Sequence, residues 1–399
     1  MPSPVDSRAR RRVIAPACVA LCCTLFSAPA CGREPARQAA VPESGELSVE
    51  LRVSLDAAPA AAPGLDTNSA YVALRDGRLV AVDLQSGRVR WSQELPTSFA
   101  PETGDGLVFV MGEDDLTALT ADGKPAWRLP VAGGFSAPLR WDAGWLIGSA
   151  ASGDVLAIRA RDGHVVWTMR LGSPVRARPA LAAERIYLSL EDGRVAALNL
   201  LTGVTEWERT LGGTPGEVLA LEERLYVGSR DKFFYCLATE DGDRKWRWRT
   251  GGSVLAAPVV DAERVYYTSL DNVLRAMNRS NGWLAWDVGL PLRPSGGPLL
   301  VGRLLFVAGV AAEVRAYRTR DGAEAGAFNA PAELAAPPQV LPGTSDLLAA
   351  VVLLTRTGEL QVLRRRVEPA IVPLEAVPGI EVPLEPPPVD IEPIVAPIL

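Results

Sequence analysis

Residue types that build metal sites and catalytic centres are scarce in this chain. It has one histidine, His164, and five cysteines in 399 residues. One histidine cannot hold zinc without a set of cysteines or carboxylates around it. His164 follows an Asp-Gly pair, so we expect it on an exposed turn, which is a poor place for the buried base of a Ser-His-Asp triad. The sequence therefore predicts no metal site and no catalytic residue.

Phosphate-binding and nucleic-acid-binding features are also missing. No segment has the form G-x-x-x-x-G-K-[ST] or G-x-G-x-x-G, the glycine-rich loops that cradle phosphates. The formal net charge is −6, whereas nucleic-acid binding requires clustered lysines and arginines that neutralise phosphates. Loop acids such as Asp114-Asp115 and Glu222-Glu223 are interpreted as solvated charges. We expect no nucleic-acid partner.

Residues 1–30 have the features of a signal peptide. Four arginines within residues 8–12 form a basic segment, and residues 13–26 are an apolar run that is too short for an ordinary membrane-spanning helix. Ala28-Pro29-Ala30 stands directly before Cys31, an arrangement that resembles the lipobox of bacterial lipoproteins. The resemblance implies lipidation at Cys31 and a tether over residues 31–45. The alternative is plain signal-peptidase cleavage at Ala-x-Ala, which would release a soluble protein.

The cysteines give no disulfide framework. Three of the five lie in the predicted signal peptide, and Cys31 is the predicted lipid site. Only Cys236 remains in the body of the chain, so no intramolecular disulfide can form. It stands in an apolar run, where we expect it to behave as a small buried hydrophobic residue.

A repeat of about forty residues fills the body of the chain. Six tryptophans recur at intervals of 36 to 40 residues, and each follows a glycine by four positions. Asp-Gly and Asn-Gly pairs between apolar runs are strong hairpin signals, because glycine adopts the positive φ that a tight turn requires. We interpret the tryptophans as structural, since one large aromatic residue per repeat suits the packing between repeats. They are Trp91, Trp127, Trp167, Trp207, Trp246 and Trp286.

Each repeat contains four short strands. Alternating segments such as residues 78–84 and 194–200 lead into the glycine turn, another apolar strand precedes them, and a proline opens a further one. Four strands in about forty residues is the pattern of a β-propeller blade. The mark that opens a blade occurs eight times, at Pro63, Pro101, Pro138, Pro179, Val218, Pro258, Pro298 and Pro338.

The last repeat is one strand short, and the N-terminal side has one strand too many. The pattern of the eighth repeat stops near Arg366, whereas residues 47–53 alternate as a strand that belongs to no other repeat. Pairing the two would close the ring and remove exposed edges. We predict an all-β fold: an eight-bladed β-propeller of four-stranded antiparallel blades over residues 46–366, with the N-terminal strand closing the last blade.

The repeats resemble those of the pyrroloquinoline-quinone-like family, whose signature reads roughly Ala-x-Asp-x-x-Thr-Gly-x-x-x-Trp. Residues 81–91 and 197–207 follow it, and the resemblance covers about residues 46–366. Among its members, the chain is most similar to propeller lipoproteins of the outer-membrane β-barrel assembly machinery. That resemblance implies a non-catalytic scaffold, held by lipid at the periplasmic face of the outer membrane, with protein partners in the envelope that include the barrel-assembly core.

Two other functions stay open from the sequence. The family also includes quinone-dependent dehydrogenases, which are longer and hold their cofactor beside a disulfide between adjacent cysteines and a calcium ion. The adjacent cysteines here, Cys22-Cys23, lie in the predicted signal peptide, so we expect no cofactor. An extracytoplasmic ligand-binding or sensor module is the third possibility.

Residues 367–399 differ in composition from the repeats. They contain nine prolines and six acidic residues but no lysine or arginine. Such a density of proline blocks helix and sheet hydrogen bonding and favours polyproline II. We interpret the segment as a disordered acidic tail, with the alternative that its apolar residues make it a docking peptide.

Overall fold

The computed structural model describes residues 47–309, 311–341 and 349–365. The predicted signal peptide (1–30), the predicted lipid site Cys31, the tether (31–45) and the tail (367–399) lie outside the described residues, so those assignments stay predictions. The described part of the chain consists of β-strands joined by turns, and it contains no helix long and apolar enough to cross a membrane.

Thirty-two strands form eight antiparallel sheets of four strands each. The strands of the first four blades are β2 (Gly64–Leu65), β3 (Ser69–Ala73), β4 (Arg78–Asp83) and β5 (Val89–Glu94); β6 (Glu102–Gly104), β7 (Leu107–Met111), β8 (Asp115–Thr120) and β9 (Pro125–Pro130); β10 (Arg140–Asp142), β11 (Trp145–Ser149), β12 (Asp154–Arg159) and β13 (Val165–Arg170); β14 (Ala180–Ala182), β15 (Arg185–Ser189), β16 (Arg194–Asn199) and β17 (Thr205–Thr210).

The other four blades follow the same order. Their strands are β18 (Pro215–Leu221), β19 (Arg224–Ser229), β20 (Phe233–Ala238) and β21 (Arg244–Arg249); β22 (Val259–Val260), β23 (Arg264–Ser269), β24 (Val273–Asn278) and β25 (Leu284–Gly289); β26 (Leu299–Val301), β27 (Leu304–Ala308), β28 (Glu313–Arg318) and β29 (Glu324–Asn329); β30 (Gln339–Leu341), β31 (Ala350–Leu354), β32 (Glu359–Arg365) and β1 (Leu47–Ser54).

The blades form a ring with their first strands at its centre. First strands of neighbouring blades contact one another, as β2 contacts β6 and β22 contacts β26. The buried apolar residues divide into eight clusters, and each cluster lies between two successive blades. One of them joins Val352 and Val362 of the eighth blade to Val72 and Val80 of the first. The eight-bladed propeller predicted from the repeats is confirmed.

The N-terminal strand completes the eighth blade, as predicted. β1 pairs antiparallel with β32, from Leu47 opposite Arg365 to Ser54 opposite Glu359, and we call this pair the seam. The register shifts between Val49 and Leu51. Because such a bulge inserts one residue and turns the following side chains to the other face, β1 packs against both of its neighbours.

The two halves of β1 therefore reach different clusters. Leu47 and Val49 pack on the cluster between the seventh and eighth blades. Leu51 and Val53 pack in the cluster between the eighth and first blades. A single strand thus closes two of the eight interfaces.

Candidate interaction surfaces

The six repeat tryptophans make the same hydrogen bond to the next blade. Trp167 Nε1 donates to the carbonyl oxygen of Leu200 at 2.8 Å, and Trp207 Nε1 donates to that of Thr239 at 3.0 Å. The accepting carbonyl lies in the turn between the third and fourth strands of the following blade. The other four tryptophans bond in the same way to Ala121, Ala160, Arg279 and Thr319.

The turn glycine of the next blade lies directly over each indole ring. Gly203 has φ +73°, and a Cβ placed there would come within 2.7 Å of the Trp167 ring. Positive φ and the close ring both exclude a side chain at this position. Each blade from the second to the sixth therefore carries both a glycine and a tryptophan for the same contact. Its tryptophan packs on the glycine of the next blade, and its glycine covers the tryptophan of the preceding one. This geometry supports the structural role predicted for the tryptophans, which stays a prediction until they are substituted.

The seam explains why two blades lack the tryptophan. In the seventh blade Gly326 stands opposite Ala316, where a tryptophan stands opposite an alanine in most other blades. A tryptophan there would face the eighth blade, whose third and fourth strands, β32 and β1, are not connected by a turn. In the eighth blade Leu51 takes the tryptophan position, and its Cδ1 would lie 2.9 Å from a Cβ on Gly87.

His164 and Cys236 lie in different blades, the third and the fifth. His164 is exposed in the turn after β12, and its backbone N–H donates to Asp162 Oδ1 at 3.2 Å. Cys236 is fully buried between the fifth and sixth blades, and burial raises the pKa of its thiol to about 11. Within residues 47–309, 311–341 and 349–365, no three His, Cys, Asp or Glu side chains are grouped so that they could hold a metal ion.

A polar cluster joins the inner strands of the second and third blades to Arg178, which precedes the inner strand of the fourth. Glu102, at the start of β6, is 8% exposed. Its carboxylate accepts a hydrogen bond from the backbone N–H of Trp141 at 3.0 Å and forms an ion pair with Arg178 at 3.1 Å. Because a buried carboxylate is stable only when it is paired and hydrogen-bonded, this cluster fixes the positions of the second, third and fourth blades around the centre.

A groove of about 450 Å³ lies between the fourth and fifth blades, and we call it the basic groove. Arg209 enters it from the fourth blade, while Arg244 and Arg247 of β21 enter it from the fifth. Its floor holds Phe233 and Tyr235 of β20, and the Arg247 guanidinium carbon lies 4.6 Å from the centre of the Phe233 ring. Such a cation over an aromatic face is an attractive arrangement.

Tyr235 is fixed inside the basic groove. Its hydroxyl donates to Asp231 Oδ2 at 2.5 Å. Burial, together with this hydrogen bond to a carboxylate, raises the pKa of Tyr235 to about 12. The ring therefore stays neutral at physiological pH.

The equivalent groove between the first and second blades, about 750 Å³ in volume, has the opposite charge, and we call it the acidic groove. Register places Asp115 and Thr117 of β8 where the fifth blade has Phe233 and Tyr235. Asp115 forms an ion pair with Arg128, which takes the position of Arg247. The rim adds Glu94, Glu113 and Asp114.

The sequence analysis did not identify the basic groove. A signal was present, because β21 reads Arg-Lys-Trp-Arg-Trp-Arg, and no other described strand has more than two cationic residues. Alternation places Trp246 and Trp248 on one face of this strand and Arg247 and Arg249 on the other, and a register shift at Lys245 brings Arg244 to the face of Arg247. The sequence of this strand alone does not show which blade forms the opposite wall of the groove.

Comparison with known proteins agrees with the repeat analysis. A family model described as outer membrane protein assembly factor BamB matches residues 38–133, 112–221 and 211–332. This chain belongs to the BamB family. The resemblance predicted from the repeat signature is confirmed, and the matched segments cover most of the propeller.

Individual relatives are distant. An outer membrane protein assembly factor BamB of Nitrosomonas eutropha is 28% identical over 175 residues, which are 42% of this chain and 42% of that protein. The chain thus aligns with less than half of the length of this curated relative.

Solved structures share the fold. The crystal structure of BamB from Moraxella catarrhalis superposes with a TM-score of 0.65 at 20% identity, covering 80% of this chain and 100% of that one. Quinohemoprotein alcohol dehydrogenase from Comamonas testosteroni superposes with a TM-score of 0.65 at 13% identity, covering 81% and 78%. At these identities the likeness shows the propeller fold alone.

Proposed function

We propose that this protein is a non-catalytic scaffold of the cell envelope that takes part in the assembly of outer-membrane proteins. The observation that carries the proposal is the BamB family match over residues 38–332. The blades add support, because they run at nearly constant length and are closed by repeated packing contacts. Over residues 47–309, 311–341 and 349–365 the surface therefore offers grooves between blades rather than an inserted cap or domain.

The residues that could carry chemistry support the non-catalytic part of the proposal. His164 is exposed on a turn, which leaves no buried environment to hold it as a base. Cys236 is buried, and its raised pKa keeps it a thiol, whereas a nucleophilic cysteine requires an accessible thiolate. Titration of the purified protein with pyrroloquinoline quinone, with and without calcium, tests this part. Micromolar binding together with dye reduction would contradict it.

The scaffold acts, in this proposal, from the periplasmic face of the outer membrane, held there by lipid on Cys31. We expect Cys31→Ser to leave an unprocessed or soluble protein that incorporates no labelled palmitate. Fractionation of the envelope with palmitate labelling measures both. A Cys31→Ser variant that still partitions with the membrane would contradict the anchor. The matched control is Cys236→Ser, at a buried site outside the predicted signal peptide.

Capture from cross-linked envelopes of the native host tests the partner. We expect the wild-type protein to recover the core protein of the barrel-assembly machinery, and depletion of the protein to lower the amounts of β-barrel proteins in the outer membrane. Recovery of a redox carrier instead, with unchanged barrel proteins, would contradict the scaffold and favour an oxidoreductase.

A further inference from the structure

The outer strand of the fifth blade has more positive charge than its surroundings neutralise. Arg244, Lys245, Arg247 and Arg249 are all exposed on β21. In the part of the chain that the structure describes, none of the four has a carboxylate oxygen within 4.0 Å, although Arg209 across the basic groove is paired with Asp243 at 2.9 Å. Four unpaired cations on one edge strand are unusual in a chain with net charge −6.

Other blades close the corresponding face with an ion pair. In the third blade Arg170 pairs with Asp154 at 2.8 Å, and in the fourth Arg194 pairs with Glu208 at 2.7 Å. The fifth blade has Phe233 at the position of Asp154 and Arg194, with Arg249 opposite it. Relative to the third blade, an aromatic ring has therefore replaced the internal carboxylate, and the cations remain available to an external one.

The chain itself contains a segment with complementary chemistry. Residues 367–399 have six acidic residues, nine prolines and no cation. Proline-rich segments in polyproline II conformation bind aromatic-lined grooves, because the ligand loses little conformational entropy on docking. Carboxylates between the prolines would meet the guanidinium groups, which form strong charge-assisted hydrogen bonds with carboxylates.

We propose that the basic groove binds the acidic, proline-rich tail of this same chain. The prolines and aliphatic residues lie on the half-buried ring of Phe233, next to the buried Tyr235, and the tail carboxylates face Arg244, Arg247 and Arg249. The tail thereby covers an edge strand whose unpaired backbone groups would otherwise be open to another chain.

The tail is long enough to reach the groove. Arg365 stands at the end of β32 that corresponds to the glycine turn of other blades, so β32 ends on the face of the ring where β21 begins with Arg244. With ~4.8 Å between strands, a four-stranded blade gives a ring radius of ~20–25 Å, and a point three blades away is within ~50 Å. At ~3.1 Å per residue, about sixteen residues of polyproline II span this distance. The acidic residues at or beyond that length are Glu381, Glu385, Asp390 and Glu392.

Zero-length cross-linking of the full chain tests the proposal sharply. A carbodiimide joins a lysine amine to a carboxylate as an amide, with loss of water to the reagent.

The chain has three lysines: Lys232 and Lys245 in the fifth blade, and Lys124 in the turn of the second blade beside the acidic groove. We expect Lys245 to be joined to residues 381–392 within monomers, and Lys124 to be joined only to acids of its own blade, such as Asp122. Those links show that the reagent has reacted.

Charge reversal supplies the second arm. Arg247→Glu with Arg249→Glu should lower the yield of the Lys245-to-tail link about tenfold, because two exposed charge pairs are lost. The matched control is Arg88→Glu with Arg293→Glu, which makes the same change in net charge at exposed positions of the first and seventh blades. The control should keep the wild-type yield.

Three results would overturn the proposal. Tail links to Lys124 as frequent as those to Lys245 would show random encounter. Tail links confined to dimers would place the segment on a second copy. An absence of tail links to Lys245, or a yield that the double reversal in the groove leaves unchanged, would show that the groove does not hold the tail.

Discussion

Six interfaces of this propeller are closed by a tryptophan, and the two at the seam are not. At an ordinary interface, such as that between the fourth and fifth blades, Trp207 is 7% exposed and bonds to the turn of the next blade. At the seam, Leu51 covers Gly87 and Gly326 leaves the tryptophan position empty of a side chain. The repeated contact depends on a turn connecting the third and fourth strands, which the seam lacks.

The ring is stabilised in two ways, by hairpins within the blades and by the pairing of β1 with β32 at the seam. Ordinary blades are held by local hairpins, whose strands are close in sequence. The seam joins strands about 300 residues apart, so its formation has a larger loop-closure cost. In exchange, one strand contributes apolar residues to two core clusters. The seam is therefore the interface where a small deletion should have the largest effect.

Removing β1 should cost the most. A chain that starts at Ala58 loses Leu47, Val49, Leu51 and Val53, and burial of even ~400 Å² of apolar surface is worth about 10 kcal/mol before ordering entropy is subtracted. Since native stability is only ~5–15 kcal/mol, we expect this chain to melt far below one that starts at Pro42, or to aggregate through the open edge of β32. Differential scanning calorimetry measures the difference.

The matched control for that deletion is at the other terminus. Removing residues 369–399 should leave the melting temperature nearly unchanged, because a docked surface segment adds little to the core. Equal stability of the chains starting at Ala58 and Pro42 would contradict the structural importance of the seam.

A substitution at one ordinary interface should have a smaller effect. Trp207→Ala removes a buried ring and its hydrogen bond to Thr239, and we expect a loss of about 3–5 kcal/mol in the free energy of unfolding. Trp283→Ala is the control, since Trp283 is 72% exposed and should change stability by less than ~0.5 kcal/mol. Urea unfolding monitored by circular dichroism gives both values. Similar effects at the two positions would refute the structural role of the repeat tryptophans.

The corresponding substitution at the seam sharpens the comparison. Leu51→Ala removes a half-buried side chain from the contact with Gly87, and we expect a loss of about 2 kcal/mol, smaller than that of Trp207→Ala. The same unfolding measurement applies. A loss larger than that of Trp207→Ala would show that the seam, rather than the tryptophan contacts, limits the stability of the ring at single positions.

The smallest expected effect is a pH dependence at one ordinary interface. Cys236 stands opposite Trp246, where other blades have alanine, and burial raises the pKa of its thiol from 9.0 to about 11. The unfolded thiol ionises first, so this contribution to stability is complete below pH 9 and is lost as the pH rises through about 11. Between pH 8 and 10 the loss should be about 1 kcal/mol.

Cys236→Ala is the matched variant for this effect, because it gives the fifth blade the residue of its neighbours. Unfolding free energies at pH 8 and 10 should differ less in the variant than in the wild type. An equal difference in both proteins would assign the alkaline instability to other groups, such as the buried tyrosines.

Most of the ring could be predicted because each blade is encoded locally. A glycine turn and a period-two strand lie within a few residues of each other, so the repeats at Gly163 and Gly203 reveal their hairpins directly. Even the seam followed from counting strands, since β1 had no partner nearby. The mark at Val218 shows that one substituted position does not hide a blade whose period is kept.

The grooves could not be predicted for a physical reason. Arg209 and Phe233 belong to different blades, and they meet only because the ring brings one outer strand beside the next sheet. The bulge in β1 is a second example: alternation alone places Leu47 and Leu51 on one face, whereas the register shift sends them to different clusters. Contacts between blades depend on such details, which the repeat pattern does not contain.

The pairing of Leu47 with Arg365 has a topological consequence. Since these residues are opposite one another in an antiparallel pair, a short turn between them would convert the seam into an ordinary hairpin and the ring into a closed chain. New termini could then be opened at another exposed turn, for example beside His164. The polypeptide could then start in a different blade while the arrangement of the blades around the axis stayed the same. The molecule is therefore suited to circular permutation.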